Sequence, residues 1–382
     1  MTMTRADTTP IIAIDLVRFA CAMLVVVYHV DVGYWLSPSN HAASVLTSYG
    51  EANSGMAISR VGWVGVEIFF VISGLVIARS ALQADWRSFV RRRFLRLVPA
   101  VWICATVTFA MLAASGHFGP AIGFDWLRSV AFWPIGNQID DVYWTLGVET
   151  FFYLAVAITL GSHGTPQRIE QLAWVLGLVS AAGWLATLFQ PTLMLAVMSN
   201  QAATLLLLPY GVFFALGMMI AAIHTRPLGP ARGALMVVLT AAALIEISAH
   251  SEGREAAMAV AVSGSTAQGI FLVALGVVIL APHLQTPLSR WISPGTARTV
   301  GLMTYPLYLI HQDAGAVVIA TLLGHNVPLR VAQALTVLLM LVLAWAIARW
   351  PEPWLRARLA TLFNRFRDRA PDTRPTASPS AG

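Results

Sequence analysis

The sequence predicts an all-α polytopic membrane protein with about ten transmembrane helices and both termini cytoplasmic. Three observations carry this. Of the 382 residues, 57% are hydrophobic and 11% are charged, and the mean hydropathy is +0.70, too apolar for a soluble domain of this length. The apolar residues form continuous runs of bilayer-spanning length, about 20 residues each, rather than the alternation over about ten residues of a barrel strand. The cations fall between those runs and divide unequally between the two sides.

Taken in order, the runs lie near 11–32, 61–80, 97–115, 142–161, 172–190, 203–223, 233–249, 258–281, 300–323 and 331–350. The first follows Arg5 as a signal peptide would, but it contains Asp15 and Arg18 and has no small-residue cleavage site, so it reads as a span. The stretch 126–136 is too short to cross, and its Trp126, Trp133 and Pro134 suit an interfacial or re-entrant segment. With the N-terminus inside, the cytoplasmic side collects Arg79, Arg87, Arg91, Arg92, Arg93, Arg96, Arg168, Arg226, Arg232, Arg290, Arg298 and Arg349. The outer side receives only Arg60, Arg128, Arg254 and Arg330. Residues 1–10 then form a cytoplasmic N-terminus, 11–350 one membrane domain, and 351–382 a cytoplasmic tail expected to be disordered after about 363.

The net charge of +6 comes entirely from Arg, with no Lys. Because these residues mark loop borders rather than one face, nucleic acid is not an expected partner. Cys21 and Cys104 sit in apolar runs as small hydrophobes. His250 and His325 fall in outer connections, and His163, His224 and His283 in inner ones, without the spacing of HExxH; no metal is expected.

Charge inside a span is costly, so such residues are where function is sought. Asp15 and Arg18 stand one turn apart and can pair. His29 follows Arg18 by eleven residues, about 20° away around the helix and about 16 Å along it. Glu67 and Glu149 lie in the second and fourth runs, and each could hold a ligand hydroxyl, orient His29 or pair with an arginine. Tyr305, Tyr308 and His311 recur at threes around Pro306.

Five blocks in order resemble the acyltransferase-3 family of integral membrane acyltransferases. They are IDLVRFACAMLVVVYHV with its Arg18 and His29, GWVGVEIFFVISGLVI, RRRFLRLVPAVW, YWTLGVETFFYL and TYPLYLIHQ. Three positions depart from the pattern: Glu67 for Asp, Leu75 for Phe, and Leu146-Gly147 for Leu-Ser. The resemblance implies a stand-alone enzyme of the inner (cytoplasmic) membrane, without a soluble esterase-like domain. Its expected reaction moves an acyl group, most simply acetyl from acetyl-CoA, onto a hydroxyl of an envelope glycan or its lipid-linked precursor.

That reaction needs a base for the hydroxyl proton, and imidazole suits it, so His29 is the candidate general base. A nucleophilic role through an acyl-imidazole is the alternative. The phosphates of the donor call for cations, for which Arg91, Arg92, Arg93 and Arg96 are candidates. The resemblance implies the same for Arg18. Asp15, Glu67, Glu149, Tyr305 and His311 are supporting candidates, with His311 the second choice of base. A secondary transporter or flippase would also carry intramembrane charge, but it would show an inverted repeat, and none is visible.

Overall fold

The computed structural model describes residues 11–35, 41–46, 55–82, 84–161, 165–258 and 260–369. His163 lies outside these residues, as does the tail after Arg369. The described residues contain helices and no strand, as lipid demands of a chain that must satisfy its own backbone. In chain order the helices are α1 Ile12–Asp31, α2 His41–Leu46, α3 Gly65–Ala81, α4 Trp86–Ala114, α5 Pro120–Val130, α6 Trp144–Leu160, α7 Pro166–Ala186 and α8 Pro191–Met198. There follow α9 Gln201–Leu205, α10 Gly211–Ile223, α11 Pro230–Met258, α12 Gly264–Ser289, α13 Pro294–Ile310, α14 Asp313–Gly324, α15 Leu329–Arg349 and α16 Pro351–Arg369.

The ten or so expected spans become eight helices long and apolar enough to cross a membrane, one bent pair and one short apolar helix, among the described residues. The run 203–223 is not continuous. Leu207 adopts φ +64°, and the Leu208 and Leu207 amides turn back to the carbonyls of Ala203 and Thr204, a closure that ends α9. Pro209 then bars helical continuation, leaving α10 only 13 residues. That helix runs through the middle of the bundle against α3. A Cβ placed on Gly217 would lie 1.9 Å from the Val71 carbonyl oxygen, and one on Gly74 would lie 2.1 Å from that of Phe214. The two backbones touch, which in lipid only small residues permit.

The run 300–323 is broken, with α13 and α14 meeting at 71° across His311 and Gln312. The backbone groups freed there find partners. Tyr34 Oη donates to the His311 carbonyl at 2.6 Å, and the Asp313 amide donates to Asp140 Oδ2 at 3.1 Å. Asp313 Oδ2 in turn accepts from the Asp141 amide at 3.2 Å. The break is thereby tied to the loop before α6.

Three helices outrun their apolar stretches. α4 begins at Trp86, where Asp85 caps the amides of Arg87 and Ser88, so the arginine block is helical from the start. α11 runs on to Met258 and carries His250 and Arg254, which are therefore helical residues and not outer-loop ones. α12 extends to Ser289 and takes His283 with it. The stretch expected to be disordered after 363 is helical as far as Arg369. α16 docks on α4 through Glu352, which pairs with Arg96 at 3.3 Å and with Arg356, and through Phe363 edge-on to Phe94.

Candidate functional site

α1 sets the axis of the site, with Arg18 and His29 on one side of it about three turns apart. His29 Nδ1 lies 2.9 Å from His311 Nε2. The proton positions follow from the partners. His311 Nδ1 faces the carbonyls of Tyr308 at 2.8 Å and Leu307 at 3.1 Å, which only accept, so it carries the hydrogen. In neutral His311, Nε2 is then an acceptor, and His29 must donate to it from Nδ1. Neutral His29 then keeps Nε2 unprotonated. The Val25 backbone also bonds this ring, and the ring lines a cavity of about 130 Å³ together with Tyr28, Trp63, Glu67, His250 and Arg254. Gly33 packs against the ring, where a Cβ would stand 2.8 Å from His29 Cδ2.

A second cavity of about 140 Å³ lies on the Arg18 side, lined by Arg18, Arg93, Arg96, Glu149, Tyr153 and Tyr305 among apolar groups. Val66 and Tyr308 line both cavities. Tyr308 is held in this wall by hydrogen bonds to Thr145 Oγ1 at 3.1 Å and the Val142 carbonyl at 3.3 Å.

The residues singled out from the sequence therefore separate into groups. Arg18, Arg93, Arg96, Glu149 and Tyr305 gather in the arginine cavity, where the Arg96 guanidinium lies 5.6 Å from the Tyr305 ring centre. Arg93 and Arg96 share a face of α4, three residues apart. Arg91 and Arg92 are not part of this lining: Arg91 bonds Asn364 at 2.8 Å and Arg92 the Ser80 carbonyl at 3.3 Å. Asp15 makes no ion pair with Arg18 among the described residues and packs on Gly301 instead. Glu149 faces Ser73 and Tyr153, and Glu67 faces His250. His311 is the side chain hydrogen-bonded to His29.

Sequence reasoning missed Glu246, His250 and Arg254. Glu246 stands within an apolar run, and an intramembrane carboxylate was the available signal. Arg254 donates to Tyr28 Oη and lies over the rings of Tyr28 and Trp63 at 5.0 and 5.5 Å. It was hidden because α11 outruns its hydrophobic stretch.

The chain matches the acyltransferase domain family, Acyl_transf_3, over residues 11–349, which includes both cavities and every helix from α1 to α15. It belongs to that family. Relatives resemble parts of it. "Regulator of hypoxia-inducible factor 1" of Caenorhabditis elegans is 32% identical over 128 residues, 28% of this chain and 24% of that protein. "O-acetyltransferase OatA" of Staphylococcus aureus (strain NCTC 8325 / PS 47) is 29% identical over 149 residues, 31% of this chain and 24% of that protein. "Peptidoglycan O-acetyltransferase OatA" of Listeria monocytogenes is 29% identical over 165 residues, 35% and 26% respectively. The chain thus spans about a quarter of the length of these relatives. No solved structure matches it.

Proposed function

We propose that this family member is a membrane O-acyltransferase that moves an acetyl group from acetyl-CoA to a hydroxyl of an envelope carbohydrate. One observation carries the reading: His29, hydrogen-bonded to His311, lines a cavity whose wall, Val66 and Tyr308, is also the wall of the arginine cavity. In this reading the acceptor hydroxyl enters the histidine cavity and gives its proton to His29 Nε2 as its oxygen attacks the thioester carbonyl. The imidazolium keeps its Nδ1 hydrogen bond to His311. Collapse of the tetrahedral intermediate breaks the C–S bond, and the CoA sulfur takes the proton back from His29. Arg18, Arg93 and Arg96 hold the anionic donor. The names of the OatA relatives favour acetyl and a glycan acceptor.

The arginine distribution supports an orientation in which the arginine cavity faces the cytoplasm, where CoA is available, in the inner membrane. A reporter fused after Trp354 should then work only if it is a cytoplasmic one. The reaction is tested by giving purified protein radiolabelled acetyl-CoA and isolated envelope. Label is expected in carbohydrate, as an ester released by mild base. Movement of an envelope precursor without any label transfer would point instead to a transporter.

A further inference from the structure

We propose that Glu67, Glu246 and His250 form a binding site for a divalent transition-metal cation in the wall of the histidine cavity. Glu67 comes from the first turn of α3, and Glu246 and His250 are four residues apart on one face of α11. One ligand atom from each lies within 4.8 Å of the other two. His250 Nδ1 is 2.9 Å from Glu246 Oε1 and 3.9 Å from Glu67 Oε1. Metal bonds of about 2.1 Å put neighbouring ligands about 3.0–3.4 Å apart, so the His250–Glu246 edge is already close to that spacing and the edges to Glu67, within 4.8 Å, would close by rotation of its carboxylate.

A second observation points to something beyond the chain. Glu67 and Glu246 are 2% and 1% exposed, and each keeps one carboxylate oxygen, Oε2, with no hydrogen-bond partner. Buried carboxylate oxygens are seldom left so. Arg254, the neighbouring guanidinium, acts on both glutamates through its charge, but it donates to Tyr28, lies over Tyr28 and Trp63 and makes no ion pair with either glutamate among the described residues, its Nε also lacking a partner. The His250 ring is held by stacking on Trp63 at 4.9 Å. Two carboxylates and one imidazole suit Zn²⁺ or Mn²⁺. Because Glu67 and His250 line the cavity, the remaining coordination positions face the chamber that also holds His29. No local motif announces this site, because its ligands come from two helices. It does not rest on the acyl-transfer reading.

The test uses full-length protein in detergent, stripped with EDTA and titrated separately with Zn²⁺ and Mn²⁺. Metal analysis and thermal unfolding are followed together. The expected result is roughly one equivalent bound per chain with a raised unfolding midpoint, and an affinity at least about tenfold lower in Glu67→Gln/Glu246→Gln. The metal-free midpoint of the variant reports whether it folds. If it does not, His250→Gln, which keeps both carboxylates, takes its place with the same expectation. Wild-type protein that binds neither ion, or a folded variant that binds as tightly as wild type, overturns the site and leaves a proton shared by the two carboxylates as the explanation.

Discussion

The two cavities that meet at Val66 and Tyr308 differ in the charge they leave unspent. In the arginine cavity, Arg18 makes no ion pair among the described residues and Arg93 keeps its Nε without a partner. Beyond the wall the one guanidinium, Arg254, donates to Tyr28 and lies over Trp63, though its Nε too has no partner, and here carboxylate oxygens of Glu67 and Glu246 also go unpartnered. A site with spare cations suits an anionic ligand; a site with spare carboxylate oxygens and imidazoles suits one that brings hydroxyl hydrogens. In the proposed reaction the division puts donor and acceptor on opposite sides of the wall, and it can be broken from either.

The largest effect is expected at the base. His29→Gln keeps volume and some hydrogen bonding but cannot take a proton, so kcat should fall by about 10²–10⁴-fold with the donor KM unchanged. Turnover above roughly a tenth of wild type would remove His29 from the chemistry. Next comes Arg18→Gln, which should raise the donor KM by about 10- to 100-fold, the equivalent of a charge-assisted hydrogen bond, while kcat at saturating donor is kept. Arg18→Lys should fall between, with its charge kept and its planar fork lost. A loss confined to kcat would mean that the two cavities are not divided as described. His311→Ala should lower kcat less than His29→Gln and shift the pH profile, because His29 would lose the partner that fixes its tautomer; an unchanged profile would make His311 a packing residue. The smallest effect sharpens the comparison. Arg91→Gln with Arg92→Gln should leave the donor KM within about twofold, as for surface changes away from a site.

Much of this was legible because lipid imposes a long, uniform signal. Every run read from composition holds a helix, and Arg18 and His29 could be set on one side of α1 from helical geometry alone. What escaped depended on contacts between distant helices. The break at His311 lies beyond Pro306 rather than at it, and needs Tyr34 and Asp140 to satisfy the freed backbone. Arg254 and His250 looked like loop residues because hydropathy stops where the hydrocarbon partner stops, whereas a helix continues as long as its polar side chains find partners. The basic block could be recognised as a cluster, but only the phase of α4 separates Arg93 and Arg96, which line the cavity, from Arg91 and Arg92.

The short α10 bears on how the molecule is assembled. Every residue from Gly211 to Ala221 is buried, so this helix has almost no lipid-facing surface of its own. At 13 residues it is about 20 Å long, against a hydrocarbon core of about 30 Å. It therefore cannot enter the bilayer as an autonomous span that later finds its neighbours. Its surroundings exist only once α3 is in place to receive it at Gly74, and synthesis delivers α3 first. The order of helices along the chain is in this respect an order of construction, with the second long span serving as the template on which the middle of the bundle is laid.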